Sequence, residues 1–461
     1  MRIHLPPLLR ASHSDEIPSP RLGRRGERAA ARYGDTAART ARQLALDERD
    51  YAYDRRGTAA TLRALDEEHG GGFFAIDEEA TLDRDAADVV FAGDAPVIDV
   101  QTHLVDPDRW RGAHAVALGN FLRRVDPDRW DGAIDPERIS GAAWAALVFG
   151  ASETAVALLT STPGAGDENV LTNRQIASVR DVIDRYAGSG RVLTHTIVHP
   201  NLAGEIDAMA RWSTELRPSG WKVYPLAGAA TRAAPGGGWW LDDDEIGGAF
   251  LERARTLGPR IVCAHKGLGG PVAGASVATA SPRDIGPAAR AFPDIDFVVY
   301  HSGYEIDPDR EEAAYDPIAA RGVDRLVRSV AAAGLGPEDN VYAELGSTWF
   351  LMLRRPREAA HVLGKLLLAL GPKRILWGTD STWYGTPQPL IDAFRSFRIP
   401  ASMQAAFGYP PLTRELAAQI LSHNARRLYG IDVSHLGSSD DDRAWAARAG
   451  PALRTAIAAA R

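Results

Sequence analysis

From Val97 onward, short apolar runs of strand character alternate with segments of helical periodicity. The runs are Val97–His103, Thr154–Ser161, Arg191–His199, Gly220–Tyr224, Arg260–His265, Asp296–His301, Asn340–Leu345 and Arg374–Asp380. Helical patterns lie between them, including Arg174–Tyr186, Leu202–Leu216, Asp244–Thr256, Ile318–Ala333 and Glu358–Leu370. This strand–helix alternation predicts consecutive βαβ units and a parallel sheet. Eight strands favour closure into a (β/α)8 TIM barrel, an α/β fold. An open doubly wound sheet is the alternative, but no glycine-rich phosphate loop follows the first strand.

The connections sharpen the picture. Segments leading from helix into strand are tight and rich in Gly and Pro, as in Arg217-Pro218-Ser219-Gly220, Leu257-Gly258-Pro259-Arg260 and Gly371-Pro372-Lys373-Arg374. Segments leaving strands are long: 104 to about 136, 225–243, 266–283, 302–317 and 381–411. Long loops at one end and tight turns at the other predict a functional site at the strand C-termini.

The first strand carries a second pattern. Asp99, Gln101 and His103 occupy every second position, so in a regular strand they share one face. The opposite set, Ile98, Val100, Thr102 and Leu104, is the more apolar, which predicts that the polar triplet faces an enclosed interior. Buried polar groups need partners. A metal ion is one such partner, and a core strand with a hydrogen-bonded histidine is the plainer alternative.

Residues 1–95 read differently. They are rich in Arg, Ala, Asp and Glu and predict helices over Gly26–Asp50 and Arg56–His69, the second broken by Gly70-Gly71-Gly72. The expected organisation is an N-terminal, mostly helical extension over 1–95, followed by a barrel over 96–461 with a C-terminal helical tail from about Asp440. The extension is expected to pack on the barrel or on a second subunit, and a homo-oligomer, a dimer, is the expected assembly. A partly disordered arm is the alternative.

Composition changes this little. The 461 residues are 45% hydrophobic with a formal net charge of −7, which gives no electrostatic support to a nucleic-acid partner. No apolar run is long enough to span a membrane, and no secretory leader is evident. A cytoplasmic protein acting on a small molecule is therefore expected. The single cysteine, Cys263, excludes an intramolecular disulfide and any cysteine-rich zinc site.

Titratable groups gather at the predicted strand ends: His103 on the first, Lys222 near the end of the fourth, His265 on the fifth, His301 on the sixth and Asp380 on the eighth. Imidazole and carboxylate together suit Zn²⁺, Mn²⁺ or Fe²⁺. Tyr224 shares the inward face with Lys222, and Cys263 shares that of His265. Glu344 is a further polar group, with a structural salt bridge as its plain reading. The loop Ala234–Trp240 and Trp349, Trp383 and Tyr384 supply material for a pocket wall. His195 and His199 are expected in the core or at the rim.

These residues resemble the amidohydrolase superfamily, in particular the branch that also contains aminocarboxymuconate-semialdehyde and resorcylate-type decarboxylases. The resemblance rests on Ile98-Asp99-Val100-Gln101-Thr102-His103, Gly220-Trp221-Lys222-Val223-Tyr224-Pro225, Val262-Cys263-Ala264-His265, Tyr300-His301-Ser302-Gly303 and Leu376-Trp377-Gly378-Thr379-Asp380. The segment from Ile420 to Gly430 looks like the family's C-terminal signature. The resemblance implies one divalent metal ion, Zn or Mn, held by Gln101, His103, His265 and Asp380. It further implies that Asp380 and His301 are catalytic and that Lys222 and Tyr224 meet substrate. Gln101 departs from the family's usual His-x-His or Glu-x-His pair. The implied reaction is metal-dependent hydrolysis at a carbonyl-type carbon. Non-oxidative decarboxylation of a small aromatic or unsaturated acid is the alternative, and a binding protein with a degenerate metal site is a third.

Overall fold

Eight parallel strands follow one another around a single sheet in chain order. They are β1 (Val97–His103), β2 (Thr154–Thr160), β3 (Val192–Ile197), β4 (Gly220–Val223), β5 (Ile261–His265), β6 (Asp296–Tyr300), β7 (Val341–Glu344) and β8 (Ile375–Leu376). The computed structural model describes residues 23–461 apart from 126–128, 131, 165, 227–237, 270–277, 308, 435 and 437–438. The barrel closes between β8 and β1 through Val100 N to Trp377 O (3.0 Å), Asp380 N to Gln101 O (2.9 Å) and His103 N to Ser381 O (2.6 Å). The fold is the expected TIM barrel, with outer helices and a C-terminal helix, Ser439–Ala459.

Side-chain alternation divides inside from outside. Val156 and Leu158, Ile261 and Cys263, Val298 and Tyr300, Tyr342 and Leu376 fill the interior. Their strand neighbours Val262, Ala264, Phe297, Val299, Val341, Ala343, Ile375 and Trp377 face the outer helices. The tail helix covers Ala157, Leu159 and Val192 through Trp445, Ala449 and Leu453, and its Asp442 pairs with buried Arg191 at 2.7 Å.

β1 departs from the regular alternation expected of it. Ile98 and Val100 belong to the interior cluster, and the pairing with β2 shifts register between Asp99 and Thr102. That irregularity reverses the parity. Val100 and Gln101 both turn inward, and Asp99 is left out of the polar set. The Asp99 carboxylate instead accepts from Gln101 N (3.1 Å), Thr379 N (3.0 Å) and Thr379 Oγ1, which ties β1 to the end of β8.

The N-terminal segment forms α1 (Gly23–Gln43), α2 (Glu48–Tyr53), α3 (Arg55–Glu68) and α4 (Arg84–Phe91). The single helix expected over Gly26–Asp50 is two: Ala45 has φ 54°, and Asp47 caps α2 by accepting from Arg49 N at 2.8 Å. α4 was not legible as a helix; its cap is Asp83, which accepts from Ala86 N at 2.8 Å. Tyr33, Tyr51, Phe73 and Phe91 share one apolar core with Trp349, Phe394 and Phe397 of the barrel side. Arg55 pins the contact, reaching Asp88 (2.9 Å), Glu153 and Asp392 (3.3 Å). Glu153 also pairs with Arg395 at 2.5 Å.

Candidate active site

The strand C-termini bring Gln101, His103, His265, His301 and Asp380 together at one mouth of the barrel. His103 Nε2 lies 2.9 Å from Asp380 Oδ1, and Gln101 Nε2 donates to the same oxygen at 3.0 Å. His265 Nδ1 and His301 Nε2 are 3.1 Å apart. Among the described residues, no three His, Cys, Asp or Glu side chains surround one common point. The donors stand as two contact pairs.

Ring tautomers follow from the outer partners. His103 Nδ1 faces Thr160 O at 3.0 Å, and His301 Nδ1 faces Gly346 O at 2.7 Å. A carbonyl can only accept, so each Nδ1 carries the proton and each Nε2 looks inward. Burial pushes His301 down to about 4 and His265 well below the usual histidine range, so both are neutral at pH 7. His265 Nδ1–H therefore donates to His301 Nε2, and His265 Nε2 keeps its lone pair. The approach of His103 Nε2 to Asp380 Oδ1 needs positive charge between them, either a second ring proton or a cation. Burial pushes Asp380 upward, but the His103 and His301 rings and the Ser347 hydroxyl outweigh it and hold the carboxyl at about 2.

Three imidazoles and a carboxylate, with two rings oriented by backbone carbonyls, form a donor set that fits a divalent ion. Gln101 does not fit the ligand role expected for it. Its Nε2 faces Asp380, while Oε1 has no hydrogen-bond partner and lies where a Cβ on Gly346 would fall, 2.1 Å away. Turning the amide over would set Oε1 against the Asp380 carboxylate, oxygen against oxygen. In this arrangement Gln101 is a donor to Asp380.

Lys222 lies fully buried inside the barrel, its Nζ 3.3 Å above the Tyr300 ring and 4.7 Å from that of Tyr224. Among the described residues Nζ has no hydrogen-bond partner, and burial pushes its pKa down to about 7. Tyr224 packs against His265 and donates its hydroxyl to Ser161 O at 2.7 Å. Cys263 is buried beside His195, at 3.8 Å, and burial pushes its thiol up to about 11. His195 and Cys263 are core residues. His199 sits buried past the end of β3, its Nε2 without a hydrogen-bond partner among the described residues.

The aromatic residues divide. Trp383 stacks on His103 and donates Nε1 to Asp380 Oδ1 at 3.2 Å. Tyr384 lies 2.7 Å from Ser347 Oγ. Trp349 is no pocket wall: it packs on Phe394 and Phe397 beneath an outer helix, because its indole N–H is drawn to Leu390 O. Of the loop Ala234–Trp240, residues 234–237 lie outside the described residues, and Trp239 packs on Phe250. Among the described residues, Glu344 forms no salt bridge. It accepts from His301 N at 3.1 Å and from Gly346 N, and burial pushes it up to about 8. Sequence reasoning missed Ser347, whose hydroxyl donates to Asp380 Oδ2. No periodicity marks it, and only its place three residues after the inward strand end Glu344 could have pointed to it.

No match is found among curated proteins. Among solved structures, the chain is similar to a candidate 2-pyrone-4,6-dicarboxylic acid hydrolase from Pseudomonas putida, with 15% identity over 74% of this chain and 99% of that one and a TM-score of 0.43. It is similar to a 2,6-dihydroxybenzoate decarboxylase complexed with 2,6-dihydroxybenzoate (14%, 73% and 99%, TM-score 0.41). It is also similar to a 5-carboxyvanillate decarboxylase from Novosphingobium aromaticivorans complexed with manganese and 4-hydroxy-3-methoxy-5-nitrobenzoic acid (12%, 73% and 96%, TM-score 0.42). The amidohydrolase family model matches residues 98–431, from β1 with Gln101 and His103 past β8 with Asp380 to the helices that follow. On that match, which spans every strand of the barrel, the chain belongs to the amidohydrolase family.

Proposed function

We propose that this protein is a metal-dependent hydrolase acting at a carbonyl-type carbon of a small organic substrate. His103, His265 and Asp380 would hold one divalent ion, Zn or Mn, with His301 beside them. The observation that carries this reading is the approach of His103 Nε2 to Asp380 Oδ1 at 2.9 Å, an imidazole and a carboxylate brought together at the strand C-termini as a bound ion would need them. When bound, such an ion acidifies water and polarises a carbonyl or carboxylate oxygen. Asp380 is the group placed to take a proton from the attacking water. His301 is neutral and its Nε2 accepts from His265 Nδ1–H, so a proton for the leaving group would pass through this ring pair. Gln101, Trp383 and Ser347 fix the Asp380 carboxylate during these transfers. Tyr224 and Lys222 line the inner wall, where substrate would meet them.

Decarboxylation is the second reading, and one observation favours it. Lys222 Nζ is a buried amine with no hydrogen-bond partner among the described residues, and burial pushes its pKa down to about 7. Its ammonium form can deliver the proton that replaces a departing carboxylate on carbon as carbon dioxide leaves. We propose a homodimer as the assembly. The experiment is a paired assay on carboxylated lactones and on hydroxylated aromatic acids, following ring opening and carbon dioxide release. Ring opening without gas supports hydrolysis; stoichiometric gas supports the second reading. In either case Asp380→Asn should lose roughly a hundredfold or more of turnover, as loss of a general acid–base group does. Near-normal turnover in that variant would place proton handling elsewhere.

A further inference from the structure

Eight non-glycine residues among those described have positive φ, and four of them stand at this site: His301 (67°), Ser302 (52°), Ser347 (54°) and Asp380 (62°). Glycine would occupy such backbone without strain, so a side chain kept there is kept for what it does. His301 and Asp380 are themselves proposed to hold or serve the ion. Ser302 Oγ donates to Glu344 O at 2.7 Å, closing the turn that carries His301. That leaves Ser347, which follows β7 between the His301 turn and Asp380.

The Ser347 hydroxyl donates to Asp380 Oδ2 and meets the Tyr384 hydroxyl at 2.7 Å. Tyr384 is held in turn by face-to-face stacking on Phe350, ring centres 3.8 Å apart. Oδ1 of the same carboxylate is left for His103, Gln101 and Trp383. With Oδ2 anchored by one hydroxyl, rotation about the Asp380 side chain is blocked and Oδ1 has a single direction. We propose that Ser347 is a positioning residue for Asp380, fixing which oxygen faces the histidines, with Tyr384 orienting the Ser347 hydroxyl. The proposal rests on the reading of Asp380 as a group that holds the ion.

The test uses the full chain and Co²⁺ as the probe, because the visible spectrum of Co²⁺ reports the number and arrangement of its donors. Ser347→Gly keeps the backbone at ease and removes the hydroxymethyl group that carries the hydroxyl. We expect its thermal midpoint to stay near that of the parent. Its Co²⁺ affinity, measured by competition with a chelator, should fall by about tenfold or more, the size of effect expected when a ligand loses its supporting hydrogen bond. Its absorption bands should shift as well. Tyr384→Phe leaves residue 347 untouched and should show the same spectral change with a smaller loss of affinity. Affinity within twofold of the parent and unchanged bands in both variants would overturn the proposal, and so would loss of folding in the glycine variant with a parental Tyr384→Phe. A parent protein that takes up no Co²⁺ overturns the reading of Asp380 and the proposal together. An intact parent with indifferent variants overturns the proposal alone.

Discussion

Gly378 offers a test of the frame beneath the site that needs no substrate. It lies on the inner face between Leu376 and Asp380, and a Cβ placed on it falls 1.8 Å from Glu344 Oε1 and 3.2 Å from Gln101 Cβ. An unstrained carbon–oxygen contact is more than an ångström longer, so Gly378→Ala forces the Glu344 carboxyl aside. Glu344 has little freedom to move, because its oxygens accept from His301 N and Gly346 N. Losing a buried acceptor costs about 1–3 kcal/mol for each stranded donor. Two donors are at risk, and the smaller entropy of the unfolded alanine chain returns up to about 1 kcal/mol. We expect a net destabilisation of about 3 kcal/mol in urea titrations. Gly336→Ala is the control: nothing lies within 4 Å of its added carbon, so the change should stay within about 0.5 kcal/mol. The argument also demands coupling. In a Glu344→Ala background the space is free and the donors are already stranded, so Gly378→Ala should add little. A Gly378→Ala change no larger than the control, or strict additivity with Glu344→Ala, would refute the reasoning.

Two further predictions concern charge. Arg55→Ala removes the guanidinium from buried Asp392, which keeps only the Gln388 amide, and leaves Glu153 to Arg395 alone. It should cost about 3 kcal/mol, as breaking a buried ion pair does, and should open the chain N-terminal to α3 to limited proteolysis; unchanged proteolysis would mean the apolar contacts alone dock the extension. Glu344 has its pKa raised by burial to about 8 from an ordinary value of 4.5. The neutral carboxyl is thus the form the fold prefers, and its contribution is complete below about pH 4.5 and lost as pH rises toward 8. Asp99, raised to about 7, acts in the same direction. Histidines pushed down by burial, His301 and His265 among them, act the opposite way below about pH 6.5, and Lys222 does so above about pH 7. The readout is therefore a difference: the urea midpoint of Glu344→Gln should gain on that of the parent as pH rises from 5 to 8, and a constant difference would contradict the assignment.

How much of this was legible in the sequence varies with the physics that decides it. β1 matches its expected span, Val97–His103, and the neighbouring strands agree within two residues at each end, because alternation and tight Gly/Pro turns are local signals. β8 does not: only Ile375–Leu376 is strand, since the chain beyond bends to close the barrel and Asp380 takes a positive φ. The inward turn of Gln101 and His103 was foreseen, but for an incomplete reason. Regular alternation would have turned Ile98 and Val100 out; a register shift, which no one-dimensional pattern shows, lets both sets face inward. The grouping of His103, His265, His301 and Asp380 follows from strand order alone. The direction of the Gln101 amide, the role of Ser347 and the partners of Glu344 depend on loop backbone angles, which the sequence encodes only through tertiary packing.

The central claim is that His103, His265 and Asp380 hold one divalent ion on which the reaction depends. Elemental analysis of the chain, purified without chelator and assayed in the same preparation, tests it most directly. Close to one equivalent of zinc or manganese in the parent is expected, falling to a small fraction in His265→Ala, with activity following metal content across the series. Full turnover from protein carrying far less than one equivalent would contradict the account.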